Sequence, residues 1–164
     1  MSKGERIERF VEGLAGGSLT QAVAVAQNPF YRGFFQCWNA QQYYEAHDVL
    51  EHLWLRTNSA DANFFKGLIQ SAGAFVHLKK HWEHPTHPKH GRRLAPAVRL
   101  LRLATTNLAP FEPITHSLAI TDFRLLLDDH ADRIVASDYA LNPWSPAEAP
   151  VISLLDDNTN RFSA

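Results

Sequence analysis

A histidine and a glutamate four residues apart, His47 and Glu51, are the side chains whose types and spacing best suit chemistry. Residues at positions i and i+4 are neighbours on a helix surface, so the imidazole and the carboxylate would lie side by side. Such a pair can supply a general base or two ligands to one metal ion. It can equally be a hydrogen-bonded structural pair at the edge of a core, because buried polar groups are normally satisfied.

The segment 41–56 is predicted to be the helix that carries this pair. At 100° per residue, His47 falls inside an apolar arc and Glu51 lies at its edge, beside Tyr44. The apolar arc consists of Tyr43, Ala46, Leu50, Leu53 and Trp54. Three polar residues of the same helix are predicted to point the other way, into solvent: Glu45, Asp48 and His52.

A second predicted helix, 61–81, supplies partners if the two helices form an antiparallel hairpin about a turn near 58–59. Counting outward from the turn places Lys66 opposite Glu51 and Gln70 opposite His47, with His77 further along. The structural interpretation is a Glu51–Lys66 ion pair and a His47–Gln70 hydrogen bond. The functional interpretation is a pocket around His47 and Glu51 whose substrate-binding residues are Tyr44, Trp54, Gln70 and His77.

A broad apolar face on the second helix competes with this arrangement. It consists of Phe64, Leu68, Ala72 and Phe75. If this face forms the contact between the two helices, the pairing of residues obtained by counting outward from the turn is wrong.

These two helices resemble the domain-of-unknown-function 309 family. The resemblance is carried by Trp38-Asn39-Ala40, by the run from Tyr43 to Trp54, and by Phe65-Lys66-Gly67-Leu68-Ile69-Gln70. It covers about residues 30–110, and it departs at 82–93, where a proline- and histidine-rich insertion replaces a short loop. The resemblance implies a compact helical bundle and no assigned activity.

The remaining sequence predicts further helices and no convincing strand. Ser2 and Glu5 have capping-box spacing at the start of a helix over 2–15, and Asn28-Pro29 begins another. Further helices are predicted over 18–27, 94–108 and 121–136. The fold class is therefore all-α: one domain over 1–164, a compact bundle of about five to six helices with an extended C-terminal tail. The family-like core is 30–110, and residues 115–164 form a last helix and an apolar tail that docks on the bundle or on a partner chain.

Five histidines crowd the end of the predicted helix 61–81 and the segment that follows it. They are His77, His81, His84, His87 and His90, with Pro85 and Pro88 between them. Neutral imidazole is a common zinc ligand, so a second metal hypothesis, separate from the His47 and Glu51 pair, places an ion in this histidine run with His77 and His81 among its ligands. The same region, 77–103, is basic, whereas 121–164 is acidic. This asymmetry favours internal or intersubunit attraction over an anion or RNA surface, because no nucleic-acid motif accompanies it.

Composition narrows the function classes. The formal net charge is −1, and no run approaches the ~18 apolar residues of a membrane helix. Phosphate-binding loops, nucleophile elbows and dinucleotide fingerprints are absent from the sequence. The charged N-terminus has no signal-peptide pattern, which predicts a cytoplasmic protein.

The leading hypothesis is a metal-assisted or general-base hydrolase, with zinc as the candidate cofactor and an unknown small molecule as ligand. The alternative is a non-catalytic helical interaction module in which His47 and Glu51 are structural, and a homodimer is among the expected assemblies.

Overall fold

Six α-helices and one small sheet make up the computed structural model, which describes residues 2–15, 24–57 and 60–155. The helices are α1 Lys3–Ala15, α2 Pro29–Asn39, α3 Tyr43–Trp54, α4 Ala62–Glu83, α5 Leu94–Leu108 and α6 Ile120–Ala136. The strands are β1 Ile114–Thr115 and β2 Leu118–Ala119. The predicted all-α class and the predicted number of helices are confirmed. Among the helices of these residues, none is long and apolar enough to cross a membrane.

Local signals at the helix ends act as the sequence indicates. The backbone N–H of Glu5 donates to Ser2 Oγ at 3.1 Å, and that of Ser2 donates to Glu5 Oε2 at 3.0 Å, which completes the capping box. Asn28 Oδ1 accepts from the backbone N–H of Phe30 at 2.8 Å and so caps α2. Of the helix predicted over 18–27, residues 18–23 lie outside the described residues, and the rest forms only a 3-10 turn at Val25–Gln27.

The apolar stripe of α4 lies at the centre of the core. Phe64, Leu68, Ala72 and Phe75 are all fully buried. Helix α4 packs against α3 and α5, and α5 packs in turn against α6. Gly67 faces α5 so closely that an added Cβ atom would lie 2.7 Å from Leu108 Cγ. The competing apolar face therefore forms the contact, and the predicted pairing of α3 and α4 by levels is wrong.

The short antiparallel sheet was not expected from the sequence. Ile114 pairs with Ala119 and Thr115 with Leu118, around a turn in which His116 and Ser117 have φ of 49° and 62°. Two residues per strand are too few for an alternating pattern to be visible. The hydroxyl of Tyr31 donates to the backbone carbonyl of His116 at 2.9 Å, which ties this hairpin to α2.

Over the described residues up to 155, the C-terminal segment docks on α2 and α3. Trp144 is buried, and its Nε1–H donates to the Tyr43 hydroxyl at 2.9 Å. Trp38 Nε1–H donates to the carbonyl of Pro150 at 3.0 Å. The side chain of Asn39 donates to the carbonyl of Ile152 and accepts from its backbone N–H, at 2.9 and 2.8 Å. Residues 156–164 of the predicted tail lie outside the described residues.

We predict that Asn39→Ala lowers the free energy of unfolding by about 1–3 kcal/mol, because it leaves both backbone groups of the buried Ile152 without their partner. Urea denaturation of the two proteins measures the loss. Asn63→Ala, at an exposed position of α4, is the matched control and should change stability by less than about 0.5 kcal/mol. Equal losses in the two variants would contradict the role assigned to Asn39.

A buried histidine makes stability depend on pH. His130 Nδ1–H donates to the carbonyl of Leu126 at 2.8 Å, and its ring lies 5.1 Å from that of Phe75. Burial lowers the pKa of His130 from 6.5. Below pH 6.5 the unfolded chain therefore binds a proton more readily than the folded chain does, so stability is complete above pH 6.5 and declines as the pH falls toward the folded-state pKa.

We predict that His130→Gln reduces this decline, because glutamine does not titrate. Urea denaturation at pH 8 and pH 5.5 measures the difference for each protein. His84→Gln, in an exposed loop, is the control and should retain the wild-type difference. An unchanged difference in His130→Gln would refute the assignment to this residue.

Candidate functional site

Three side chains of α3 meet at its solvent-facing edge. His47 Nδ1 lies 3.2 Å from Asp48 Oδ1 and 3.5 Å from Glu51 Oε2. The inward residues of the helix, including Tyr43, Ala46 and Leu50, are buried in the core. The polar edge keeps side-chain exposures of 32%, 21% and 28% for His47, Asp48 and Glu51. One nitrogen and two carboxylate oxygens are thus available to a ligand from solvent.

Helix α1 places a lysine over this edge. Lys3 Nζ lies 3.6 Å from Asp48 Oδ1 and 3.7 Å from Glu51 Oε1. Its ammonium group therefore bridges the two carboxylates and offsets part of their negative charge. The lysine side chain is about half exposed, at 54%, so it can leave this position without a rearrangement of the core.

A small apolar cluster and a second group of charges hold α1 in this position. Val11 packs with Phe30 and Val49. His52 is buried, stacks on the ring of Phe30 at 5.0 Å, and lies 3.3 Å from Glu8 Oε1. The prediction that His52 points into solvent is therefore wrong, because α1 covers that side of α3.

Grooves lie on both sides of the contact between Lys3 and Asp48. One, of about 350 Å³, is lined by Phe10 and Tyr44 beside the charged residues. The other, of about 330 Å³, includes Glu51 and Arg56. The ring of Tyr44 is 62% exposed, and it stacks over His47 with centroids 6.5 Å apart. The cluster is thus next to open space that could receive a small ligand.

The predicted site residues separate into two groups. The structure brings Tyr44, His47 and Glu51 together. It places Gln70 against α5, where Gln70 Oε1 accepts from Asn107 Nδ2 at 2.7 Å. Trp54 is partly buried and packs against the core, away from the open grooves. The predicted Glu51–Lys66 and His47–Gln70 pairs are not formed. Because the apolar residues of α4 are buried in the core, its polar stripe, which consists of Lys66, Gln70, His77 and His81, is turned toward α5 instead of α3.

The other two predicted metal ligands lie on that polar stripe. His77 Nδ1 lies 3.0 Å from Arg93 Nη1, and His81 Nδ1 lies 3.4 Å from Asn142 Nδ2. Neither is brought to His47 and Glu51. The two predicted metal positions, one at His47 and Glu51 and one at His77 and His81, are therefore separate places in the fold, and metal binding at each stays a prediction.

Sequence reasoning missed two members of the cluster. Asp48 was expected to be solvated, although its position beside His47 could have suggested a shared ligand. No sequence pattern indicated that Lys3 belongs to the cluster, because a helical pattern does not reveal where a separate helix docks.

The residues that the structure describes contain one group suited to a metal ion, namely His47, Asp48 and Glu51, whose ligand atoms lie within 4.8 Å of one another.

This donor set is chemically suited to a borderline divalent cation. Zinc accepts histidine nitrogen and carboxylate oxygen, and catalytic zinc sites pair three protein ligands with one position for water. Because Lys3 lies against the same carboxylates, a metal ion and the ammonium group would compete for them. The arrangement is therefore able to bind a metal or to fasten α1 to α3.

Comparison with known proteins identifies one family. A model of a domain of unknown function (DUF309) matches residues 31–85. The matched segment includes most of α2 and all of α3 and α4, with His47, Asp48 and Glu51, but not Lys3. No curated protein and no solved structure gave a significant match. The resemblance seen in the sequence is thus confirmed over residues 31–85, where the chain is similar to the DUF309 family, a domain of unknown function.

Proposed function

We propose that the protein binds a divalent metal ion, preferably zinc, through His47, Asp48 and Glu51 and uses it to hydrolyse a small ligand. The observation that supports this is the meeting of three metal-competent atoms within 4.8 Å on one accessible edge of α3. An open groove with the exposed ring of Tyr44 adjoins this edge.

Only small movements are needed to close the site around a metal. Zinc–nitrogen and zinc–oxygen bonds are about 2.0–2.2 Å long, so two ligand atoms of one tetrahedral ion lie about 3.3–3.6 Å apart. The atoms here lie within 4.8 Å, and rotation of partly exposed side chains can remove the difference. The backbone of α3 would stay in place, because its buried face is anchored in the core.

Lys3 would act as the competitor of the metal. Its single charge lies 3.6 and 3.7 Å from the two carboxylates, in the region that a doubly charged ion would occupy. Binding would therefore displace the lysine. A zinc ion with three protein ligands keeps a position for water and lowers the pKa of that water to about 7. The groove beside Tyr44 and Phe10 would hold the molecule that this water attacks.

A second candidate function is that of a non-catalytic interaction module. The contact that favours it is the same Lys3 bridge, because an ion pair between two helices needs no metal. In this case His47 and Glu51 would hold α1 on α3 together with the Glu8, His52 and Arg56 group. The two functions predict different effects of removing Lys3. The metal proposal predicts a higher affinity for the metal, whereas the interaction module predicts a weaker attachment of α1 to α3.

We predict that tag-free protein binds about one equivalent of Zn²⁺ and that His47→Ala or Asp48→Asn weakens binding at least tenfold. Lys3→Met should strengthen it severalfold, because it removes a competing charge. Isothermal titration with Zn²⁺ measures all four proteins. Glu45→Gln, an exposed carboxylate on the same helix, is the matched control and should bind like the wild type.

Absence of Zn²⁺ binding in both the wild type and Lys3→Met would overturn the metal proposal. A loss of unfolding free energy in Lys3→Met with no gain in metal affinity would support the interaction module instead. The hydrolase part has its own test, in which Zn²⁺-loaded protein is assayed on a generic activated ester. Turnover that His47→Ala does not reduce would refute a role for this site in hydrolysis.

A further inference from the structure

The histidine-rich segment after α4 forms a compact loop. The rings of His84, His87 and His90 lie 4.5 to 6.3 Å from one another. Backbone hydrogen bonds close the loop, including His87 N–H to the carbonyl of His84 and Gly91 N–H to that of His87. An added Cβ atom at Gly91 would lie 2.4 Å from the carbonyl oxygen of Pro85, so this close turn requires glycine.

Hydrogen bonds define which ring nitrogens of this region are acceptors. His87 Nδ1 accepts from the backbone N–H groups of Lys89 and His90, at 3.0 and 3.1 Å. His90 Nδ1 accepts from Arg93 Nε at 2.9 Å. His77 Nδ1 lies 3.0 Å from Arg93 Nη1 and accepts from it as well, because a guanidinium group can only donate.

These bonds determine where the protons lie. A neutral imidazole carries one N–H, so a ring that accepts at Nδ1 is protonated at Nε2. The Nε2 atoms of His77, His87 and His90 are therefore donors in this conformation and lack the lone pair that a metal ion requires. The loop is thus poorly suited to the metal suggested by its histidines, and it offers N–H groups instead.

Positive charge accumulates around the same donors. Arg93 contacts both His77 and His90 and retains further N–H groups of the five that a guanidinium carries. Burial and then the positive charges of Arg93 and Arg99 lower the pKa of His77. Burial, followed by Arg93 and other cationic neighbours, lowers the pKa of His90. Over residues 77–103 the sequence holds seven lysines and arginines and one acid, Glu83.

A surface that offers donors and positive charge but few acceptors fits an anion with several oxygens. Guanidinium groups match phosphate geometry, and charge-assisted hydrogen bonds are stronger than neutral ones. We propose that Arg93, together with the Nε2–H groups of His77, His87 and His90, binds the phosphate group of a small phosphorylated molecule. This site is separate from the α1–α3 cluster and does not depend on the function proposed for it.

The test uses the full-length protein and phenyl phosphate, with inorganic phosphate as a second probe. Histidine ring signals in NMR spectra at pH 7.5 and low salt would report saturable binding. Arg93→Gln should weaken it at least tenfold, because the variant removes the charge and the bidentate donor. Arg92→Gln, the adjacent exposed arginine, is the matched control and should change affinity less than twofold.

Two further readouts separate this site from a purely structural cluster. Gly91→Ala should weaken phosphate binding although it changes no charge, because the loop must shift to admit the methyl group. Bound phosphate should also raise the pKa of His90, since a negative charge beside the ring favours its protonated form. If Arg93→Gln fails to fold, Arg93→Lys and Gly91→Ala decide the matter, and both should bind more weakly than the wild type.

Equal weakening by the Arg92 and Arg93 variants would overturn the proposal, because diffuse surface charge would then explain the binding. So would binding of a single-stranded RNA without saturable binding of either phosphate probe, which would indicate a nucleic-acid surface. Stoichiometric Zn²⁺ binding that His87→Ala abolishes would replace the anion site with a metal site.

Discussion

Burial of the apolar stripe on α4 is the constraint on which the arrangement of the polar side chains depends. Because Phe64, Leu68, Ala72 and Phe75 occupy the core, the polar stripe of the same helix must face α5 and the segment after it. The polar edge of α3 is left on the other side, where Lys3 of α1 contacts it. The cluster of His47, Asp48 and Glu51 on α3 and the histidines at the end of α4 thus lie on separate faces, although the sequence places them within about one helical hairpin.

The position of α1 decides the character of the first cluster. Without Lys3, His47 would stand beside two carboxylates whose charges repel each other, an arrangement that attracts cations. With Lys3, the same side chains form an ion-pair group that joins two helices. The same side chains can serve in either arrangement because they are partly exposed, and side chains that water reaches can exchange partners at little energetic cost.

Much of the fold could be predicted from the sequence, because capping residues and apolar periodicity act locally. The predicted and observed bounds of α5 agree, and so do the caps of α1 and α2. The neighbours of each helical face could not be predicted. Periodicity indicates that His47 and Glu51 share an edge, but it does not say that Lys3 rather than Gln70 lies opposite. His52 and Asp48 were misjudged for the same reason, since the helix that covers them lies far away in sequence.

The docked C-terminal segment has a consequence for synthesis on the ribosome. The partners of Trp38, Asn39 and Tyr43 are 101 to 113 residues further along the chain. All three belong to the family-matched segment, so its helices emerge long before the backbone groups that complete them. During that interval two large aromatic side chains lack their final cover. A nascent chain of this protein is therefore expected to need residues 144–152 before α2 and α3 become resistant to proteases and stop binding chaperones.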